Sequence, residues 1–257
     1  MLDINFIKNN KDLVKKAVED KQLSKTISID KLIETHDLYL SLLKKVELHR
    51  ALRNKLSEGI SKVAAEDRPK LITEATAVKE ELIKFEKDLT EIKSIFDQMM
   101  LWVPSVPADD VPVGQDESGN KVVREEGSIK EPSFKPKDHV DLGLSLDIMD
   151  LERGTKIGGF RGYFLKNEGA QLEQAILRYA CDLMLGEGYT MLSVPWIVKP
   201  EFFTGTGYFP WGEDDHYRLE DDKALIGTAE VSLTSYYAGE VLNESDLPVK
   251  LFGLSPC

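Results

Sequence analysis

The sequence predicts an α+β protein: an antiparallel two-helix coiled-coil arm, then a domain built on one long helix and a mostly antiparallel sheet. Three observations carry this. Leu71, Ala75, Val78, Leu82, Phe85, Leu89, Ile92, Phe96 and Met99 alternate spacings of four and three without a miss, which is a heptad seam. Residues 104–137 are then rich in Pro, Gly, Asp and Glu, the composition of a linker or an irregular crossing. Beyond residue 138 short apolar runs surround a single long amphipathic stretch, without the regular strand–helix alternation that a parallel sheet requires. The expected organisation is therefore a helical arm over 1–103 with its long hairpin at about 29–100, a linker over 104–137, and a domain over 138–257.

Taken in order, Asn5 to about Lys21 reads as a short helix with Phe6, Leu13, Ala17 and Val18 on one face. Ser28-Ile29-Asp30 offers capping residues for a longer helix that runs to about Val63, with Leu38, Leu42, Val46, Leu52, Leu56, Ile60 and Val63 as its apolar positions. The break is expected at Glu66-Asp67-Arg68-Pro69, since proline suits a helix start and not its interior. Some 30 residues per helix give an arm roughly 45 Å long.

A turn at Gly158–Gly162 leads into a strand at Tyr163–Leu165. Glu168 to about Gly186 is helical, with Leu172, Ala175, Ile176, Tyr179, Ala180 and Leu183 expected to face inward, and Gly186 and Gly188 mark its end. Tyr189–Pro195 is a strand closed by proline. Further strands are expected at Tyr217–Leu219, Ala224–Ile226 and Val249–Leu254, with a helix over Glu230–Leu242.

Composition narrows the function classes. The net charge is −12 over 257 residues, which argues against a polyanionic partner for the chain as a whole. Yet residues 1–103 carry 19 basic against 18 acidic side chains, and the remainder 14 against 27. Only the arm suits nucleic acid. No run of 18 apolar residues exists and Met1-Leu2-Asp3-Ile4-Asn5 lacks the form of a secretory signal, so no membrane span is expected. Two cysteines, Cys181 and Cys257, fit a reduced cytoplasmic protein. His36, His49, His139 and His216 show no metal-ligand spacing, and His216 beside Glu213-Asp214-Asp215 reads as a solvated loop. No metal site is expected in the chain. No phosphate-binding glycine motif, Ser-His-Asp arrangement or Cys-His pairing is legible.

Two groups of residues could carry chemistry. Thr228 and Glu230 flank Ala229 in a segment expected to be extended, so their side chains share a face. A hydroxyl and a carboxylate so paired can hold an ammonium group through a charge-assisted hydrogen bond. The alternative is that Thr228 caps, and Glu230 complements the dipole of, the following helix. On the first arm helix Lys44, Lys45, Arg50, Arg53, Lys55 and Lys62 outnumber Glu47 and Glu58. They make either a solvated face or a phosphate-binding surface.

Several segments, in order, resemble the seryl-tRNA synthetase family over the full length of the chain. Leu144–Arg153, then Arg161-Gly162-Tyr163-Phe164-Leu165 followed by Gly169–Ala175, are similar to the segments that open its globular domain. Gly188-Tyr189-Thr190 through Pro195 resembles motif 1 of the class II synthetases, and Phe203–Pro210 resembles the family's glycine-threonine-glycine loop. Leu225–Leu233 looks like its serine-binding Thr-x-Glu segment, and Leu254-Ser255-Pro256-Cys257 like the opening of motif 2.

The resemblance implies an incomplete class II synthetase domain after the arm, and a serine–tRNA ligase that activates L-serine with ATP and Mg²⁺ and transfers it to serine tRNA, and to selenocysteine tRNA where present. It implies that Thr228, Ala229 and Glu230 bind L-serine. It also implies that Lys44, Lys45, Arg50, Arg53 and Lys55 meet the long variable arm of the tRNA, mostly at phosphates, and that the intact enzyme is a cytoplasmic homodimer. The motif 2 and motif 3 arginines would lie beyond residue 257, so no catalytic residue is expected within the chain. On that reading the chain alone is an inactive fragment. A non-catalytic RNA-binding or regulatory paralogue, and a ligase that charges a carrier protein, are the alternatives; the long arm argues against the latter.

Overall fold

Residues 2–64, 68–128 and 130–255 are described by the structure, a computed structural model. The chain divides into two units, 1–125 and 126–257, with the boundary inside the segment expected to be a linker.

The first unit opens with two helices where one was expected, α1 (Ile4–Asn9) and α2 (Lys11–Asp20). The chain breaks at Asn10, whose side-chain amide donates to the Phe6 carbonyl at 3.0 Å and so competes with the helical ladder. Asp3 caps α1 through the amides of Asn5 and Phe6. The arm follows as α3 (Ile29–Lys62) and α4 (Arg68–Leu101), which pack along each other. Ser28 caps α3 as expected, its hydroxyl accepting from the Lys31 amide at 3.4 Å. The expected break lies in part outside the described residues, and Pro69 falls in the first turn of α4.

Every position of the expected α4 seam from Leu71 to Met99 is buried or half-buried, with Val78 and Leu82 fully so. The α3 side differs from expectation. Leu38 and Leu52 point to solvent, 48% and 38% exposed. The inward positions are Leu32, Thr35, Tyr39, Leu42, Val46, His49, Leu56 and Ile60, all buried or half-buried, with Arg53 exposed at the same register. This too is a three–four alternation. Four of these nine positions are polar or aromatic; of the expected apolar positions Leu42, Val46, Leu56, Ile60 and Val63 are buried or half-buried, and Leu38 and Leu52 are the two that lie off the seam.

At its root the arm is tied to α1 and α2 by a core of Ile7, Val14, Val18, Ile27, Ile29, Leu32, Met100 and Val103. Lys8 pairs with Asp37 at 2.5 Å, and Lys11 and Lys15 with Asp30. After α4 the chain continues against α2: the Gln22 side-chain amide donates to the carbonyls of Gly114 and Gln115 at 3.4 and 3.1 Å.

The second unit begins with α5 (His139–Ser145), capped by Asp138, and a two-stranded antiparallel ladder of β1 (Met149–Asp150) and β2 (Phe164–Leu165) around α6 (Leu151–Gly158). A Cβ on Gly154 would stand 2.4 Å from the Tyr163 Cα, so this crossing of backbones requires glycine. The long helix α7 (Asn167–Gly186) leads to β3 (Thr190–Leu192), which pairs in parallel with β6 (Leu251–Gly253). Between them β4 (Ile197–Val198) and β5 (Ala224–Leu225) pair antiparallel, and α8 (Pro200–Gly205) and α9 (Glu230–Thr234) pack together. Among the described residues, two of the three ladders are antiparallel.

Three expectations are corrected here. Tyr217–Leu219 is reduced to an isolated bridge between Arg218 and Ala224. The helix expected over Glu230–Leu242 ends at Thr234 and is followed by turns. The expected inner face of α7 is open: Leu172, Ile176, Tyr179 and Leu183 are 52–69% exposed, and within this helix the buried residue is Cys181. The apolar periodicity was real, but nothing among the described residues covers that face.

Candidate functional site

The Thr228-Ala229-Glu230 segment is placed by the buried cluster of Val198, Phe203, Phe209, Ala224, Ile226 and Val231. The Ile226 amide donates to the Trp196 carbonyl at 2.9 Å, which fixes the chain as it leaves β5. The Ser232 hydroxyl donates to the Pro195 carbonyl at 2.8 Å, fixing α9 from the other side. Ala229 and Val231 are buried, Thr228 is half-buried and Glu230 is exposed. The alternation in burial follows from a core that holds every second side chain of a short turn.

The segment is not extended, as its alternating pattern suggested. Ala229 has helical dihedrals, φ −59° and ψ −17°, and Glu230 opens α9. The Glu230 amide faces the Thr228 hydroxyl oxygen at 3.4 Å. The N-cap position of α9 is Ala229, which makes no side-chain cap bond; Thr228 precedes it, and Glu230 stands in the first turn. The two side chains remain close in sequence at one solvent-facing edge. A carboxylate at that edge offers acceptor oxygens to a ligand cation.

Sequence reasoning missed Tyr208, whose hydroxyl donates to the Glu230 Oε2 at 3.1 Å across 22 residues. It lies in the glycine-threonine-glycine loop, where Gly207 has φ +82° and makes the reversal after α8. His216, expected in a solvated loop, is half-buried there. Its Nδ1 is 2.6 Å from the Gly212 carbonyl and its ring meets Phe203, Tyr208 and Phe209 edge-on at 4.7–5.7 Å. Among the described residues no group of three or more His, Cys, Asp or Glu side chains is placed to hold a metal ion.

On α3 all five of Lys44, Lys45, Arg50, Arg53 and Lys55 are exposed, but they do not form one uniform patch. Arg50 bonds Glu86 of α4 through Nε and Nη2 at 2.9 and 2.7 Å. Lys45 lies over the Phe85 ring, with Nζ 5.5 Å from its centre. The Arg53 guanidinium turns to the Asn54 side-chain oxygen at 3.1–3.3 Å.

A hairpin of two long helices, followed by an α+β unit whose long helix runs into β3, is an arrangement shared with an aminoacyl-tRNA synthetase of known structure. Residues 1–107 match the seryl-tRNA synthetase N-terminal domain. Serine–tRNA ligases of Treponema denticola, Dictyoglomus turgidum and Deinococcus radiodurans are 35%, 38% and 36% identical over 99–100% of this chain, which spans 60–61% of their lengths. A crystal structure of the Pyrococcus horikoshii seryl-tRNA synthetase complexed with ATP superposes with a TM-score of 0.83 at 29% identity, over 98% of this chain and 62% of that one. The cytoplasmic serine–tRNA ligase of Naegleria fowleri, in complex with AMP, shares the fold with a TM-score of 0.76. Over its whole length the chain is therefore similar to seryl-tRNA synthetases, and its residues 1–107 match their N-terminal domain.

Proposed function

We propose that these residues are the tRNA arm and serine-binding edge of a serine–tRNA ligase, which activates L-serine with ATP and transfers it to serine tRNA. The observation that carries this is the placement of Glu230 beside Thr228, on a turn held from both sides by the Trp196 and Pro195 carbonyls, in a chain similar over its length to such ligases. The Glu230 carboxylate accepts the substrate ammonium in a charge-assisted hydrogen bond, the Thr228 hydroxyl adds a neutral one, and Ala229 keeps the turn packed. The exposed lysines and arginines of α3 meet tRNA phosphates. The working form is a cytoplasmic homodimer. Among the described residues no carboxylate cluster fits Mg²⁺, so no residue is assigned to it and no step is drawn through it.

The test is equilibrium dialysis of the chain against labelled L-serine. Binding that Glu230→Ala weakens by tenfold or more supports the reading, and Thr228→Ala should weaken it less. Binding indifferent to Glu230→Ala would leave Glu230 as a helix-start residue only. A second reading, a tRNA-binding protein without ligase activity, is favoured by the exposure of the α3 cations. It predicts RNA binding with no serine binding.

A further inference from the structure

We propose that Tyr208 is the positioning residue that aims the Glu230 carboxylate at the substrate ammonium; this rests on the serine-binding reading above. Glu230 is exposed and opens a helix of five residues, so its own rotamer freedom would spread the carboxylate over several directions. The Tyr208 hydroxyl removes that freedom by donating to Oε2 at 3.1 Å. One carboxylate oxygen is then occupied, and the other, Oε1, is left to receive the ammonium.

Tyr208 is itself rigidly held. Its amide donates to the Phe203 carbonyl at 2.9 Å, and its carbonyl accepts from the Gly212 amide at 2.7 Å. Its ring is gripped edge-on between Phe203 and His216, at 6.4 and 5.7 Å between centres and near-perpendicular to both. His216 is oriented in turn by the Gly212 carbonyl. The chain of support runs from the buried Phe203 through one phenol to one carboxylate. A hydrogen-bonded carboxylate held in place loses less entropy when the cation arrives, which raises affinity without adding a contact to the ligand.

A double-mutant cycle on the full chain, read by equilibrium dialysis with labelled L-serine, tests this. Tyr208→Phe deletes one oxygen and keeps the ring packing; it should weaken serine binding about fivefold. In the Glu230→Ala background the same change should do nothing further, because the phenol acts only through that carboxylate. A purely structural role would add its loss in both backgrounds, and that result overturns the proposal. Equal serine binding by Tyr208→Phe and the parent chain, with Glu230→Ala still impaired, also overturns it and leaves the serine site standing. Serine binding indifferent to Glu230→Ala overturns the site and the proposal together. If Tyr208→Phe lowers the thermal midpoint, Tyr208→Gln takes its place in the cycle: with an N–H donor retained, it should bind serine more tightly than Tyr208→Leu when Glu230 is present and equally when it is not.

Discussion

His49 and Glu81 face each other across the arm: Nε2 of the ring lies 3.1 Å from the Glu81 Oε2, while Nδ1 lies 2.8 Å from the Lys45 carbonyl oxygen. The ring also meets Phe85 edge-on at 4.9 Å. A seam position that leucine would ordinarily fill is thus held by a polar ring with a partner for each nitrogen.

Because the Glu81 side chain is 64% exposed, the pair contributes little to stability, and breaking it strands no buried charge. His49→Leu should therefore leave the arm as stable as before or stabilise it by up to about 1 kcal/mol through added apolar burial. Far-ultraviolet circular dichroism on heating reads this. A clear fall in the midpoint would mean that the pair is a structural requirement of the arm.

Leu82 makes the opposite case. At 2% exposure it is the most buried residue of the α4 seam. Leu82→Asp removes its apolar contacts and places a carboxylate in the seam without a partner, at a cost of several kcal/mol. Loss of helical signal and a lower midpoint in the full chain are expected. An unchanged melt would exclude the seam as drawn.

How much of this was legible follows from what each element needs. The α4 seam was readable because nine apolar residues kept one alternation without interruption. The α3 seam was readable only in part: Leu42, Val46, Leu56 and Ile60 were placed on it, but Thr35, Tyr39, His49 and Arg53 also stand at its register while Leu38 and Leu52 lie off it. The backbone of Thr228–Glu230 was not legible, because an apolar alternation of two describes a strand and a short turn into a helix equally well. The bond from Tyr208 to Glu230 spans 22 residues and rests on the reversal at Gly207, which local pattern cannot show.

The α3 cations can be ranked for RNA contact by what already holds them. Arg50 is engaged twice by Glu86, whereas Lys44, Arg53 and Lys55 are exposed and not bonded to a carboxylate in any described ion pair. Reversing Lys44, Arg53 and Lys55 to Glu should weaken binding of a tRNA with a long variable arm, and should reduce the slope of log affinity against log salt by about 3. Arg50→Glu alone should do less. Filter binding at several salt concentrations checks both, and an unchanged slope would make this face solvated surface only.

The open stripe of Leu172, Ile176, Tyr179 and Leu183 on α7 repeats every three or four residues, so it forms one continuous apolar face. Such a face in water promotes association. The chain should sediment as more than a monomer at micromolar concentration, and Ile176→Asp with Leu183→Asp should shift it toward monomer without loss of helix. A monomeric parent chain would remove this face as a contact surface.

His36 gives the arm's root a defined pH response. Its ring is nearly buried against Phe96, at 5.1 Å between centres, and its Nδ1 has no hydrogen-bond partner among the described residues, the Asp37 carboxylate being 3.9 Å away. Burial first, and the Lys8 ammonium second, hold its pKa below the ordinary 6.5, with Asp37 opposing them weakly. The folded state therefore binds this proton less readily than the unfolded one. The stabilisation from a neutral His36 is complete above about pH 6.5 and is lost as pH falls toward and through the folded value. Asp30 and Asp37, held below their usual range mainly by hydrogen bonds from Lys11 and Lys8, lose their contributions only under more acidic conditions, below 3.8. His36 thus adds to the slope of stability just under pH 6.5. His36→Leu should raise the thermal midpoint slightly at about pH 8, since it removes a buried nitrogen without a partner, and should raise it more at about pH 5. A midpoint difference that stays constant between the two pH values would show that His36 is not the group that titrates.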